Sequence, residues 1–372
     1  MSKPCAIRLQ QIFNSCQHPL TRTMSTTTLP STMRALLHNQ KTQSLSIGMT
    51  PLPTPSPTQY LVKTHAVALT NGELLWPRPE ELTTSTPGVE FVAKVVTSPS
   101  LTAKFQPGDE VYGRVQYPNP GAAREYTLSD DAELALRPKN LSVAEAATIP
   151  VSALTAWQAL FEHFNLPPPP SSSSSNATPA AANGTTQKRI LITNASGGVG
   201  IWAVQLAKLI GLYVIGTTGT QNVDFVRSLG ADEVLDYRET NIRSWATEGE
   251  AEAPHSRKVD LLFDCIGGSS LEQAWHAVNP HGQVLSIVPP ADMQWKWDLD
   301  RPEGVHGSVS GRFFVMHPSG EQLGEITRLL ELGKVRPVVD SVYGLEEFEE
   351  AFDRLRGGRT RGKVVLSVDG PE

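Results

Sequence analysis

This sequence predicts an α/β fold in which a doubly wound parallel sheet accompanies a smaller β-rich part. Three observations carry that reading. From Arg189 onward short apolar runs alternate with helical patterns. A cluster of small residues, "NASGGVG", falls between the first of those runs and the first of those helices. Ahead of them the chain carries strands and turns. A length of 372 residues also exceeds what one small core usually holds, which favours two domains.

Order begins near Met33. "LVKTHAVAL" (61–69) and "VEFVAKVV" (89–96) are β-branched runs of strand length, and "FQPGDEVYGRV" (105–115) has a Pro-Gly-Asp turn feeding another strand. Helical character follows in "SVAEAATIPVSALTAWQALFEHF" (142–164), where Ser142 and Glu145 spell a capping box and Pro150 interrupts the helix. "RILITN" then reads as a buried strand. Residues 201–210 place Val204, Leu206, Ala207 and Ile210 on one helical arc, with Gln205 and Lys208 opposite. "LYVIGTT" (212–218) is the next strand, and Val223, Val226 and Leu229 mark a short helix stopped by Gly230. "EVLDY", "VDLLFDC" and "QVLSIV" supply three more strands, so the sheet is parallel and covered on both faces. Beyond Met316 come two helices, near 320–333 and 345–356, and a closing strand, "KVVLSV". Two stretches, 165–187 and 247–258, read as surface loops; the proline and serine runs of the first bury too little apolar surface to offset the cost of ordering it.

Composition narrows the function. The net charge of −6 and the lack of a basic cluster argue against nucleic acid as a partner. No apolar stretch approaches the roughly 18 residues of a membrane helix. Cys5, Cys16 and Cys265 are too scattered for a disulfide framework or a zinc cage, which points to a reducing compartment. The first acidic residue is Glu73, and the Ser/Thr-rich, Arg-containing start resembles a transit peptide. A cytoplasmic location is expected, with mitochondrial import as the alternative.

The small-residue cluster has the form A-x-G-x-x-G over Ala195, Gly197 and Gly200. In a dinucleotide-binding unit such residues allow the turn, admit a pyrophosphate and pack helix on strand, while the amides of the helix N-terminus face the anion. At the end of the next strand, where a carboxylate would hold the ribose hydroxyls of NAD, the chain reads "TTGTQN" (217–222) without an acid. A 2′-phosphate is repelled by an acid, so this favours NADPH over NADH. Arg227 lies about a helical turn further on. A catalytic zinc needs Cys or His donors and an open position. His38, His65 and His163 have no metal-ligand spacing, so metal-free hydride chemistry is expected.

Those motifs, with "GDEVYG", "GAAREY", "LTAWQAL", "SLGADEVLDY", "DLLFDCIGG", "FFVMH" and "GKVVL", resemble the zinc-free medium-chain dehydrogenase/reductase superfamily, quinone oxidoreductase branch, including its chloroplast-envelope and mitochondrial members. The resemblance spans the chain from about Met33. It implies a tail over 1–32, a GroES-like catalytic domain over 33–152 and 317–372, and a Rossmann cofactor domain over 153–316. It implies that Ser196, Gly197, Gly198, Val199 and Gly200 cradle the pyrophosphate, and that Thr218, Gly219 and Thr220 lie beside the 2′-phosphate, with Tyr237 near the adenosine. Thr155 approaches the nicotinamide; Cys265, Ile266 and Gly267 line its ribose and Val288 its carboxamide. Lys363 reaches the phosphates across the cleft, and Asn71 and Glu73 stand at the substrate mouth.

Departures are equally specific. Zinc-bearing cousins have Gly-His-Glu where this chain has Gly88-Val89-Glu90. An Arg or Lys often grips the 2′-phosphate where Gln221 stands. The tyrosine proton donor of enoyl-thioester reductases falls after Trp76, where this chain has prolines. The expected function is NADPH-dependent reduction of a quinone, or of the C=C bond of an α,β-unsaturated ketone, by a homodimer acting on a small molecule. The alternatives are a trans-acting enoyl-thioester reductase and an NADPH-binding protein without robust turnover.

Overall fold

The computed structural model describes residues 29–170, 187–247, 257–289 and 297–370. The transit-like start and most of the two loops named above lie outside the described residues. The described residues from Thr32 onward form one contact unit.

The chain opens with eight strands: β1 (Thr32–Asn39), β2 (Leu45–Pro51), β3 (Gln59–Ala68), β4 (Thr84–Ser85), β5 (Glu90–Thr97), β6 (Glu110–Arg114), β7 (Tyr126–Asp130) and β8 (Leu134–Leu136). Helices α1 (Val143–Ala147) and α2 (Pro150–Gln158) follow. The capping box closes as expected: the Glu145 N–H donates to Ser142 Oγ at 3.2 Å, and the Ser142 N–H to Glu145 Oε2 at 2.9 Å. Pro150 both ends one helix and starts the next, since at the first helical position its missing N–H costs nothing.

The alternating half then runs β9 (Arg189–Ile192), α3 (Gly198–Leu209), β10 (Tyr213–Thr218), α4 (Val223–Ser228), β11 (Glu233–Asp236), α5 (Ile242–Thr247), β12 (Val259–Asp264), α6 (Gly268–Trp275), β13 (Val278–Ser286) and β14 (Ser310–Phe313). The chain closes with α7 (Gly320–Glu331), β15 (Val339–Gly344), α8 (Phe348–Arg356) and β16 (Lys363–Ser367).

Strands β9 to β14 form one six-stranded sheet in the order β11-β10-β9-β12-β13-β14, every neighbouring pair parallel. Its order reverses beside β9, and in such sheets ligands settle outside the carboxyl ends of the strands at that switch point. The β9–α3 turn, with the small-residue cluster, lies there. One face of the sheet packs with α2 and α3, and the other packs Leu191, Ile215 and Leu262 against Trp245 and Trp275. Gln205, placed on the outer arc of α3 by its spacing, is instead 8% exposed. Its amide donates to the Arg336 carbonyl at 3.0 Å and its oxygen accepts the Arg336 N–H at 2.9 Å, so α3 is covered on that side too.

A second sheet joins both ends of the chain, in the order β15-β16-β3-β5-β6-β8, with β7 also paired to β3. Strand β16 is antiparallel to β3 and parallel to β15. A third, small sheet holds β2, β1 and β4.

Candidate active site

The β9–α3 turn is built for bare backbone. Asn194 takes a left-handed conformation (φ 52°), which asparagine tolerates better than most residues. The Ala195 N–H donates to the Thr217 carbonyl at 2.8 Å and pins the turn to β10. A Cβ at Gly197 would stand 2.6 Å from Asn194 Nδ2, and one at Gly200 would run into the Asn194 carbonyl. A Cβ at Gly198 would stand 2.9 Å from Lys363 Cδ and 3.0 Å from Ser152 Oγ. Gly198, Val199 and Gly200 open α3, where N–H groups have no partner inside the helix. Ser196, 6% exposed, accepts from Thr218 Oγ1 at 2.8 Å and from Asn222 Nδ2 at 3.3 Å.

The second sheet reaches this turn directly. The Gly362 N–H donates to the Ser196 carbonyl at 3.2 Å, and Gly197 and Gly362 form an isolated parallel bridge. Beyond the turn, Gly219 caps a short 3₁₀ turn over Thr220–Asn222. A Cβ there would lie 3.2 Å from the hydroxyl of the exposed Tyr237.

A carboxylate organises the β12–α6 loop. Asp264, fully buried, accepts from Thr193 Oγ1 and Ser286 Oγ, both at 2.7 Å, and from the Gly267 N–H at 3.0 Å. Burial pushes its pKa up, opposed first by the Thr193 and then by the Ser286 hydroxyl. The Cys265 N–H donates back to Thr193 Oγ1 at 2.8 Å. Gly267 is left-handed (φ 71°), and a Cβ on it would meet Val288 Cγ1 at 2.8 Å. Gly267 thus meets Val288, remote in sequence, and with the adjoining Cys265 and Ile266 they form one small wall. Ile266 is half exposed. Burial pushes the Cys265 thiol well above its ordinary range, with Asp264 adding to the rise.

A charged cluster stands on the other side of the cleft. Lys363 Nζ lies 2.7 Å from Glu90 Oε1 and donates to Thr70 Oγ1 at 3.0 Å. Its stem passes the phosphate-type turn at Gly198 while its amine faces the carboxylates. Glu90 Oε2 accepts the Val151 N–H at 2.8 Å, on the first turn of α2. Glu73 accepts the Gly88 N–H at 3.1 Å and the Thr70 N–H at 3.3 Å. Both carboxylates are buried, and burial outweighs the pull of Lys363 on each. Glu73 is pushed up to about 7 and Glu90 upward from its ordinary value. Thr70 alone of these four is partly exposed. Asn71, expected at the substrate mouth, is exposed; its neighbour Thr70 is the residue that joins the cluster. The Thr155 hydroxyl turns back onto the Val151 carbonyl at 2.6 Å.

Thr70, Glu90 and Asp264 are not marked by sequence motifs as partners in these groups. Only the pairing of β16 with β3 brings Lys363 to Thr70, 293 residues earlier, and no local pattern carries that register.

Comparison with known proteins meets this geometry. A family profile described as "Zinc-binding dehydrogenase" matches residues 229–366. A protein of Arthroderma benhamiae named "Probable zinc-binding oxidoreductase, mitochondrial" is 40% identical, over 92% of this chain and 99% of its own length. The chloroplast envelope quinone oxidoreductase homolog of Arabidopsis thaliana is 30% identical, over 85% of this chain and 92% of its own. This chain belongs to the medium-chain dehydrogenase/reductase superfamily. A solved quinone oxidoreductase of Coxiella burnetii, at 24% identity, shares the fold with a TM-score of 0.73 over 91% of this chain and 99% of that one.

Medium-chain dehydrogenase/reductases are oxidoreductases that bind a nicotinamide coenzyme, and the turn at 196–200 suits one: Gly198, Val199 and Gly200 open α3, where the first N–H groups have no partner inside the helix, and close neighbours keep positions 197, 198 and 200 free of side chains. A zinc ion, named in the family description, does not fit the donors present. Val89, at 1% exposure, puts hydrocarbon where the zinc-bearing cousins have histidine, and among the described residues no group of three or more His, Cys, Asp or Glu side chains could hold a metal. No described helix is long and apolar enough to cross a membrane.

Proposed function

We propose that this chain is a zinc-independent, NADPH-dependent reductase of quinones or of the C=C bond of α,β-unsaturated ketones. The observation that carries the reading is the meeting of two unlike walls at the Lys363 stem: the N-terminal turn of α3, and the buried Glu73–Glu90–Lys363 cluster with the partly exposed Thr70 beside it. When bound, the reduced nicotinamide supplies a hydride to the β-carbon of the acceptor. Ser196 to Gly200 take the pyrophosphate on backbone N–H groups, where the macrodipole of α3 favours an anion. Cys265, Ile266, Gly267 and Val288 hold the ribose and carboxamide end, and Asp264 fixes their loop. Thr155 packs beside the ring.

Negative charge develops on the acceptor's oxygen, and Thr70 is the cluster member that can meet it. Its hydroxyl already accepts from Lys363, so its own O–H is free to donate outward, with the ammonium behind it. Glu73 and Asn71 shape the mouth, and the final proton comes from water. Support also comes from the relatives named quinone oxidoreductases. The chain acts as a homodimer, and relatives named mitochondrial favour import over a cytoplasmic location.

The test follows NADPH oxidation with a small quinone and with a simple enone. Turnover of either supports the proposal, and turnover of neither overturns it. One observation favours a second reading: a trans-enoyl reductase of Aspergillus terreus is 30% identical over 98% of its own length. Activity confined to acyl thioesters would decide for it. Tight NADPH binding without turnover of any acceptor would leave a binding protein instead.

A further inference from the structure

Gln221 leaves the adenosine end of the cleft without a cation from its own loop. The structure brings one from elsewhere. Arg361 precedes β16, in the second sheet, and reaches across to the turn after β10, 139 residues away in sequence. Its Nε donates to Asn222 Oδ1 at 3.0 Å and its Nη2 to the Gln221 carbonyl at 3.4 Å. The guanidinium lies over the Phe225 ring, 4.6 Å from the centroid. Its backbone N–H donates to Asp340 Oδ1 at 2.8 Å, and the next residue is the Gly362 that bonds to Ser196. The head group is thus held at three points beside the same turn, and the backbone behind it at a fourth.

We infer that Arg361 is the selectivity residue for the 2′-phosphorylated coenzyme: its guanidinium, delivered from the opposite sheet, grips the adenosine 2′-phosphate over Gly219–Asn222. This rests on the coenzyme reading above and adds the group that chooses between NADPH and NADH.

Four features support it. A guanidinium offers five N–H donors, and the two bonds to Asn222 and Gln221 leave others for a forked grip on phosphate oxygens. The ring of Phe225 and the Asn222 oxygen fix its orientation in advance, so little rotamer freedom remains to be lost on binding. The nearby acids are engaged elsewhere. Asp224 pairs with Arg227 at 3.0 Å. Asp340 pairs with Arg354 at 2.7 Å. Asp236 is held below its ordinary range first by the Thr220 hydroxyl and then by the Arg238 N–H. Asn222 links Arg361 to Ser196, so the 2′-phosphate and pyrophosphate positions share one hydrogen-bonded frame.

A purely structural Arg361 would tie the last strand to α4 and affect both coenzymes alike, so the experiment compares them. The full chain, wild type and Arg361→Gln, is titrated by calorimetry with NADPH and NADH, and with the fragments 2′,5′-ADP and 5′-AMP. In Arg361→Gln, NADPH and 2′,5′-ADP should weaken by about 10- to 100-fold while NADH and 5′-AMP stay within about threefold, the range of a lost hydrogen bond to a charged group. Retained NADH binding also reports an intact fold. Arg361→Lys should lose less, and adding Gln221→Arg to Arg361→Gln should restore the preference. Equal weakening of both coenzymes, or none, overturns the inference and leaves the coenzyme reading standing. Wild-type chain that binds neither coenzyme overturns both.

Discussion

The two walls of the cleft obey different physics. The turn at 194–200 is made of backbone: its contacts are N–H and C=O groups, its specificity lies in where a Cβ is missing, and nothing in it titrates near neutral pH. The opposite wall is made of charge: one ammonium, two buried carboxylates and a hydroxyl, drawn from β5, β16 and the turn after β3. The first wall tolerates pH and fails by steric intrusion. The second tolerates shape changes better and fails when its charges no longer balance.

Removing the cation should have the largest effect. Lys363→Met takes from Glu90 and Glu73 the cation that pulls hardest on each, and such a loss costs about 3–5 kcal/mol. Denaturant unfolding should show the penalty at pH 8 and show it shrinking toward pH 5, as the carboxyls take up protons. A pH-independent penalty would mean that packing, not charge, is what Lys363 supplies.

Next comes the backbone wall. Gly198→Val puts hydrocarbon over the open amides and against the Lys363 stem. Coenzyme affinity should fall about 100-fold, roughly 2.7 kcal/mol, while the displaced Lys363 stem lowers the unfolding midpoint by less than Lys363→Met does. A large loss of stability with normal binding would contradict the division between the walls.

Glu73→Gln tests the titrating wall more gently. The folded chain holds the Glu73 proton up to about pH 7, well above the ordinary value of 4.5, so between those limits it binds more protons than the unfolded chain. Stability from this group is therefore present at low pH and lost as pH rises through about 7. The glutamine variant should gain on wild type by about 1–3 kcal/mol at pH 8 and lose that advantage near pH 5. A flat difference across that range would remove Glu73 from the list of titrating groups.

The smallest effect belongs to the brace beneath the turn. Thr218→Val removes the 2.8 Å bond to Ser196 and should cost about 1 kcal/mol in coenzyme binding at every pH. A pH-dependent loss there would blur the contrast between the walls.

The same contrast explains what the sequence reveals. The parallel sheet is nearly all readable because each strand and its helix are neighbours in the chain: "RILITN", "LYVIGTT" and "VDLLFDC" became β9, β10 and β12, and Gly230 ended α4 as its position implied. The second sheet is readable only in part: β3, β5, β6 and β16 are runs of strand length, while β7, β8 and β15 are short or mixed in character. Strand β14 and helices α5 and α6 also lack a clear period. In the site, the glycine turn announced itself as a motif. Arg361 and Thr70 did not, since their roles exist only once β16 has paired with β3. Gln205 misled for a related reason: a polar residue at helical spacing suggests solvent, but here it saturates the backbone of Arg336.

The bridge between Gly197 and Gly362 has a bearing on how the molecule assembles. A chain with only its parallel half in place would present the turn, but without the lid of residues 361–363. Joining segments so remote along the polymer is entropically slow and comes late. On the proposed coenzyme reading, nucleotide capture waits for that joining and so reports a finished molecule.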